Sequence, residues 1–127
     1  MSDVILDASA IIAVFKGEPG AERVEEVAQA ARLSALTIAE IATWLTMNDV
    51  PADRAYIAMN QFRLTVEPFH HARALAAGFL AARTKHRGLS LADRACLALA
   101  VELKMPVMTG DRAWRDIDLG VEIRFFR

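Results

Sequence analysis

The segment Val4-Ile5-Leu6-Asp7 decides the fold that we expect for this chain. Its three apolar residues form a short continuous run, which is typical of a strand buried on both faces of a parallel sheet. Asp7 ends the run and therefore places a carboxylate at the carboxyl end of the strand. Because ligands bind beyond the carboxyl ends of parallel strands, polar residues at this sheet edge are the candidates for a functional site.

Outward from this segment, apolar runs alternate with helical patterns. Further strands are predicted at residues 33–36, 65–68, 106–109 and 121–126. Helices are predicted at residues 9–16, 20–31, 38–48, 52–64, 70–86 and 91–104. This alternation indicates an α/β fold, a three-layer α/β/α sandwich around a mostly parallel sheet. The length of 127 residues fits one domain that spans residues 1–127.

Composition narrows the class of protein. Hydrophobic residues make up 54% of the chain and charged residues 24%, which argues against disorder. The net charge of −1 excludes a globally basic nucleic-acid binder. A single cysteine, Cys96, allows no internal disulfide and fits a reducing cytosol, so we expect a cytoplasmic protein. We expect no signal peptide and no association with a membrane.

Four carboxylates are expected to meet at the edge that Asp7 marks. Glu40 lies in the first turn of the helix predicted after the second strand, and Asp111 follows the fourth strand. Asp93 begins a helix that runs antiparallel to the fourth strand, so the start of this helix should lie near the same edge. Residues from distant parts of the chain are thereby predicted to share one crevice.

Each carboxylate also has a purely structural interpretation. The segments 37–40 and 90–93 both fit the capping box, Asp7 could be an N-cap, and Asp111 could be a turn residue. However, carboxylates that cluster in apolar surroundings repel one another and lose hydration. A hard divalent cation offsets that cost, and a ligand set of oxygens alone favours Mg²⁺ or Mn²⁺ over Zn²⁺.

Four motifs resemble those of PIN-domain nucleases, and in particular the VapC toxin branch of bacterial toxin–antitoxin pairs. They are residues 6–10 (LDASA), 39–41 (AEI), 89–100 (LSLADRACLALA) and 109–114 (TGDRAW). The resemblance covers essentially the whole chain, and the third motif is the most specific. It implies a PIN-like fold and a metal-dependent ribonuclease that a cognate antitoxin holds inactive. One departure is Thr37, because many relatives have asparagine three residues before the helix glutamate.

The resemblance also implies roles for individual residues. The family's acidic positions match Asp7, Glu40, Asp93 and Asp111, and its small hydroxyl positions match Ser9 and Thr109. We expect the three aspartates to bind Mg²⁺ or Mn²⁺, and Glu40 to bind a second ion or orient the attacking water. Thr109 and Ser9 should hydrogen-bond the acids or a phosphate.

Contacts with RNA and with partner proteins are predicted less specifically. The RNA phosphates could be bound by four arginines near the acids: Arg87, Arg94, Arg112 and Arg115. These side chains could equally form a solvated rim. Trp114 could stack on a base or belong to the core.

Apolar positions on the helices at 38–48 and 52–64 either form core or line an exposed groove for a partner helix. The resemblance favours a VapB-like antitoxin there, and also a homodimer.

Two other functions remain open at this point. A PIN-like binding module could keep the fold without catalysis, although the presence of all four acids argues against it. A receiver-like phospho-acceptor domain has a similar size and layout. It needs an aspartate at the end of its middle strand and a lysine after a late strand, whereas this chain offers Glu67-Pro68 and no such lysine after Thr109.

Overall fold

A five-stranded sheet organises the computed structural model, which describes residues 3–127. Its strands are β1 (Val4–Leu6), β2 (Ala31–Ser34), β3 (Thr65–Glu67), β4 (Val107–Thr109) and β5 (Ile123–Phe125). The spatial order is β3-β2-β1-β4-β5, and every pair of neighbouring strands is parallel. The carboxyl ends of all five strands therefore meet at one edge, as the sequence predicts.

Helices cover both faces of this sheet. They are α1 (Ala8–Lys16), α2 (Ala21–Val27), α3 (Ala35–Met47), α4 (Ala52–Asn60), α5 (His71–Phe79), α6 (Ala81–Thr84) and α7 (Leu91–Leu103). Short 3₁₀ turns lie at Ala28–Ala30, Lys85–Arg87 and Arg112–Trp114. No helix within residues 3–127 is long and apolar enough to cross a membrane.

Two cores form because successive strand residues lie on opposite faces of the sheet. Val4 and Leu6 of β1 belong to one core, together with buried residues of α1, α2 and α3. Ile5 belongs to the other core, which contains Cys96 and Leu97 of α7. Helix α7 is buried from Ala95 through Ala100, in agreement with its apolar sequence. The three-layer α/β/α prediction is therefore confirmed.

The second strand lies two residues earlier than predicted. Ser34, and not Thr37, caps helix α3, and its hydroxyl accepts a hydrogen bond from the Leu36 amide at 3.1 Å. Helix α3 therefore begins at Ala35, and β2 takes Ala31 from the end of the predicted second helix. Thr37 is buried inside α3 and cannot cap it. The predicted capping box with Glu40 is wrong, and Glu40 lies in the second turn of the helix.

Two predicted helices are too long. The helix predicted at 52–64 ends at Asn60, and Arg63 beyond it has a φ of +53°, which no α-helix accommodates. The helix predicted at 70–86 divides at Leu80 into α5 and α6 and ends in a 3₁₀ turn. Gly78, whose helix propensity is poor, precedes this break. His70 caps α5 by accepting from the Arg73 amide.

Candidate active site

A cleft at the carboxyl edge of the sheet contains all four predicted acids. Its volume is about 370 Å³. The residues that line it are Asp7, Ala8, Ser9, Ile12, Glu40, Trp44, Ser90, Asp93 and Asp111. These residues come from the end of β1, the helices α1, α3 and α7, and the segment that follows β4. The parallel topology thus brings together side chains more than 100 positions apart in the sequence.

Asp7 is the buried member of the four, with an exposed fraction of 5%. It caps helix α1: its Oδ1 accepts from the Ala10 amide at 3.2 Å and from the Ser9 hydroxyl at 2.7 Å. Its Oδ2 accepts from the Thr109 hydroxyl at 2.6 Å. Burial raises the pKa of Asp7 to about 6, even though these three hydrogen bonds favour the charged form and oppose the shift.

Ser9 and Thr109 join the ends of β1 and β4 around this carboxylate. The Ser9 hydroxyl accepts from the Gly110 amide at 2.9 Å, and the Thr109 hydroxyl accepts from the Asp111 amide at 3.0 Å. Each hydroxyl therefore donates to Asp7 and accepts from the segment that carries Asp111. The two residues predicted to support the acids position Asp7 and Asp111 relative to each other.

Asp93 and Asp111 act as helix caps while also facing the cleft. Asp93 Oδ2 accepts from the Ser90 amide at 3.0 Å, and the Ser90 hydroxyl accepts from the Asp93 amide at 3.2 Å, which completes the predicted capping box. Asp111 Oδ1 accepts from the Ala113 amide at 2.9 Å. Each capping bond uses one carboxylate oxygen and leaves the other for a ligand. Capping and ligand binding are therefore compatible at these residues.

Glu40 and Asp111 are the exposed members of the four, and Glu40 makes no side-chain hydrogen bond within residues 3–127. Partial burial raises the pKa of the Glu40 carboxyl group, and repulsion from Asp93 raises it by a smaller amount. Asp93 also contributes to the raised pKa of Asp7. The electrostatic environment of the cleft thus disfavours the accumulation of negative charge when no cation is present.

The donor set has the chemistry of a site for a hard cation. Among residues 3–127, no three His, Cys, Asp or Glu side chains lie close enough together to hold a metal ion as they stand. The four carboxylates nevertheless line one cleft. Glu40, Asp93 and Asp111 each keep at least one oxygen free of the hydrogen bonds described above, whereas both oxygens of Asp7 accept such bonds. Oxygen ligands without histidine or cysteine match Mg²⁺ or Mn²⁺. The residues fit such an ion, provided that their side chains draw together around it.

The four arginines predicted to bind RNA do not line the cleft. Arg87 pairs with Asp116, and the Arg94 guanidinium donates to the carbonyls of Ala77 and Leu89, both at 3.1 Å. Arg112 donates to the Arg127 carbonyl and lies 4.6 Å from the centre of the Phe125 ring. Arg115 is exposed. Three of the four are therefore engaged within the protein, and an RNA-binding role for this set stays a prediction.

The tryptophan that reaches the cleft is Trp44 and not Trp114. Trp114 is fully buried in the core next to α7, so its core interpretation is confirmed and base stacking on it is excluded. Trp44 is one of the apolar positions of the helix predicted at 38–48, for which the sequence left both core packing and a partner groove open. Its position four residues after Glu40 is the signal that would have placed it at the cleft, because residues at i and i+4 share a helix face.

A second concavity lies between α3 and α4, with a volume of about 530 Å³. Its lining is largely apolar and includes Ile38, Leu45, Tyr56 and Met59. Helix α4 has no buried residue, and Tyr56 has an exposed fraction of 73%. Of the two interpretations that the sequence left open, the exposed apolar groove is therefore present, and the alternative that both helix faces are simply core is wrong for α4.

Comparison with known families identifies the class to which this fold and site belong. The model of the PIN domain family matches residues 4–119. The chain therefore belongs to the PIN domain family. A receiver-like domain is excluded, because receivers have the strand order 2-1-3-4-5, and because Glu67 lies on edge strand β3 paired with Arg32 and Arg73.

Solved structures share the fold at low sequence identity. A DNA-bound VapBC complex from Salmonella typhimurium contains a chain that is 19% identical, with full coverage of both chains and a TM-score of 0.77. VapBC2 from Rickettsia felis, bound to a DNA fragment from its promoter, gives 14% identity, coverage of 97% and 98%, and a TM-score of 0.75. VapBC-5 from Mycobacterium tuberculosis gives 19% identity, coverage of 100% and 99%, and a TM-score of 0.64. No curated protein matches the chain.

Proposed function

We propose that this PIN-domain protein is a metal-dependent ribonuclease of the VapC type, the toxin of a toxin–antitoxin pair. The observation that carries the proposal is the placement of Asp7, Glu40, Asp93 and Asp111 around one cleft at the carboxyl edge of the sheet. The structural likeness to chains of VapBC complexes supports the toxin assignment. A PIN-like binding module without catalysis is the alternative that experiment must exclude.

Asp7, Asp93 and Asp111 would hold Mg²⁺ or Mn²⁺, directly or through water, and Glu40 would complete the site. When bound, such a cation neutralises phosphoryl oxygens and lowers the pKa of water. Ser9 and Thr109 hold Asp7 in place through their hydroxyl groups. Glu40 has no competing hydrogen bond within residues 3–127, so it is suited to orient the attacking water.

The proposed reaction uses water and not the ribose 2′-hydroxyl as the nucleophile. In the part of the chain that the structure describes, no histidine lines the cleft, so no imidazole there can drive attack by the 2′-hydroxyl. Water attack at phosphorus breaks the bond to the ribose 3′-oxygen and leaves a 5′-phosphate and a 3′-hydroxyl. A 2′,3′-cyclic phosphate on fragments made by the purified protein would contradict this route.

Cleavage of a mixed RNA pool tests the proposal. Activity should vanish with excess chelator and return with Mg²⁺ or Mn²⁺. Asp7→Asn, Asp93→Asn and Asp111→Asn should each lose nearly all cleavage, whereas Asp53→Asn on exposed α4 should retain it, because Asp53 does not line the cleft. Undiminished cleavage in chelator would refute metal dependence, and a folded protein that cleaves no RNA would favour the inactive binding module.

The proposed partners are a VapB-like antitoxin and a second copy of this chain. The solved complexes named above contain VapBC pairs, and the apolar groove between α3 and α4 offers this chain a surface for a partner helix. A VapB-like antitoxin should abolish RNA cleavage, and Tyr56→Asp should relieve that inhibition by placing a charge in the groove. Light scattering of the isolated protein tests the homodimer.

A further inference from the structure

The acidic cleft also has an apolar part, which the proposed chemistry does not use. Ala8, Ile12 and Trp44 line it together with the four carboxylates. Trp44 follows Glu40 by one turn of α3, so both side chains emerge on the same face of this helix. A large aromatic ring therefore borders the place where the scissile phosphate would lie.

The ring of Trp44 is held in position by other aromatic side chains. It is stacked against Phe15, with ring centroids 6.4 Å apart and an angle of 5° between the planes. Phe15 in turn makes an edge-to-face contact with Phe62, with centroids 5.5 Å apart. Trp44 is only partly buried. The cleft thus presents a planar surface whose orientation is fixed before any ligand binds.

The charges around the cleft favour an uncharged contact between RNA and the apolar part of the cleft. Within residues 3–127, no lysine or arginine lines the cleft, and Arg87, Arg94 and Arg112 are engaged by other groups of the protein. The proposed metal ion would act on the scissile phosphate, so the nucleotides beside it need a contact that is not a basic side chain. Stacking on an aromatic side chain provides such a contact, and it tolerates any base because every base has a π-face.

We propose that Trp44 is a stacking platform for the nucleobase next to the scissile phosphate. The inference rests on the proposed ribonuclease function and adds a binding subsite to it. The cleft volume of about 370 Å³ is in the range of small-molecule sites, which span about 300–1,000 Å³. Trp44 fixes the register of the strand by holding one base, while the carboxylates act on the adjoining phosphate.

The test uses RNA oligonucleotides that carry one abasic nucleotide. A cleavage site is first mapped with the wild-type protein and Mg²⁺, and the base is then removed at each position around that site in turn. For the wild type, kcat/KM should fall by about 5-fold to 150-fold when the stacked base is missing, and much less at other positions. If only the active-site acids contacted this base, the loss of kcat/KM on removing it would not depend on Trp44.

Variants of Trp44 assign that penalty to the ring. Trp44→Leu should lower kcat/KM on intact RNA by a similar factor, and the abasic nucleotide should then cause no further loss, because the two changes remove one interaction. Trp44→Phe should retain part of the penalty. Phe79→Leu is the matched control, since Phe79 is 74% exposed on α5 and lies outside the cleft, and it should behave as the wild type. Circular dichroism and melting curves verify that each variant is folded.

The outcomes separate this inference from the function on which it rests. A folded wild-type protein that cleaves no RNA overturns both. Cleavage by the wild type with an abasic penalty that persists unchanged in Trp44→Leu overturns the stacking platform alone. If Trp44→Leu cleaves RNA normally but resists inhibition by a VapB-like antitoxin, the apolar part of the cleft binds a protein partner and the proposal is wrong.

Discussion

Thr109 Oγ1 lies 2.6 Å from Asp7 Oδ2, although 102 positions separate the two residues in the sequence. The same oxygen accepts a hydrogen bond from the amide of Asp111 at 3.0 Å. One hydroxyl therefore connects two of the proposed cation ligands and fixes the end of β4 against the end of β1. This contact is the most direct link between the topology of the sheet and the geometry of the cleft.

Replacement of Thr109 by valine should both destabilise the protein and disorder the acidic cleft. Thr109→Val keeps the shape of the side chain, but it removes a donor to a buried carboxylate and the acceptor of a backbone amide. We expect the free energy of unfolding to fall by about 2 kcal/mol at pH 8, with a large loss of cleavage. Denaturant titration measures the first effect, and an RNA cleavage assay the second.

Thr109→Ser is the control for the lost hydroxyl. It keeps the hydrogen bonds and removes only a methyl group, so it should retain most of the activity. Equal loss of cleavage in the serine and valine variants would show that packing of the methyl group, and not the hydrogen bonds, is what the site requires from Thr109.

The raised pKa of Asp7 should make the metal-free protein less stable as the pH rises. A carboxyl whose pKa is about 6 in the folded state and 3.8 when unfolded binds its proton more tightly in the folded state. Its stabilising contribution is complete below pH 3.8 and is lost as the pH rises through 6. The shift corresponds to a loss of about 3 kcal/mol by neutral pH.

Comparison with Asp7→Asn isolates this contribution from the titration of other carboxyl groups. In excess chelator, the free energy of unfolding of the wild type should fall relative to that of Asp7→Asn between pH 4 and pH 7. Asparagine does not titrate, and its carbonyl can still accept from the Ala10 amide. Parallel stability curves for the two proteins over this range would show that Asp7 ionises normally in the folded state.

Local chemistry made some of these features predictable from the sequence. The capping box formed by Ser90 and Asp93 depends on neighbouring residues in the sequence, and so does strand β1, which ends just before Asp7. The structure contains both features. From the sequence Thr37 fits the cap of α3, whereas in the structure Ser34 is the cap, because the pairing of β2 with β1 and β3 ends that strand at Ser34. That pairing is a tertiary interaction, so it shifted both the strand and the turn that contains Glu40.

The positions of the two tryptophans also depend on tertiary packing and could not be predicted from the neighbouring sequence. Trp114 adjoins Asp111 in the sequence, which favours proximity to the site, but its side chain lies in the core next to α7. Trp44 reaches the cleft because it shares a face of α3 with Glu40, and this face adjoins the residues of α1 and α7 that line the cleft. The orientation of a helix around its axis depends on which of its apolar positions the sheet covers, and α3 has apolar residues on more than one face.

Asp93→Asn should separate activity from stability. Asparagine can keep the capping bond to the Ser90 amide, and it removes a charge that raises the pKa of both Asp7 and Glu40. We expect nearly complete loss of RNA cleavage, with a metal-free melting temperature equal to or above that of the wild type. Added Mg²⁺ should raise the melting temperature of the wild type much more than that of the variant, because a proposed ligand is missing.

A variant that cleaves RNA at nearly the wild-type rate would remove Asp93 from the catalytic set. Thermal melts with and without Mg²⁺ provide an independent criterion. If Mg²⁺ stabilises Asp93→Asn as strongly as it does the wild type, Asp93 is a capping residue and does not hold the cation.

An ion-pair network outside the acidic cleft should affect stability alone. Arg73 binds Glu67 at the end of β3 and Glu102 on α7, at 3.0 Å and 2.9 Å. Hydrogen bonds from Arg32 and Arg73 hold the pKa of Glu67 below its usual value, so this stabilisation is present at neutral pH and is lost as the pH falls through that lowered pKa. Arg73→Met should cost about 1–2 kcal/mol at pH 7.

Cleavage by the folded fraction of Arg73→Met should match that of the wild type, because none of the three residues lines the acidic cleft. The stability difference between the two proteins should shrink as the pH falls through the lowered pKa values of Glu67 and Glu102, where these carboxylates become protonated. A difference that does not change as the pH is lowered from 7 would assign the effect to packing of the Arg73 side chain instead of to its charge.

Gly110 lies between Thr109 and Asp111 in the sequence, and it has no room for a side chain. A Cβ at this position would lie 2.5 Å from the Phe126 ring and 2.9 Å from Arg127 Nε. Phe126 is 1% exposed, so its ring cannot move without opening the core. Gly110→Ala should therefore displace the turn that carries Asp111 and cost about 1–3 kcal/mol of stability.

Gly78→Ala is the matched control for this last substitution. A Cβ at Gly78 meets nothing within 4 Å, and Gly78 lies inside helix α5. Alanine should stabilise that helix by about 0.5–1 kcal/mol and leave cleavage unchanged. For Gly110→Ala, we expect lower stability, weaker stabilisation by Mg²⁺ and a large loss of cleavage, all measured on the same preparations. If Gly110→Ala loses stability but binds Mg²⁺ and cleaves RNA as the wild type does, the turn can yield without moving Asp111, and the contact between Phe126 and Gly110 does not position the site.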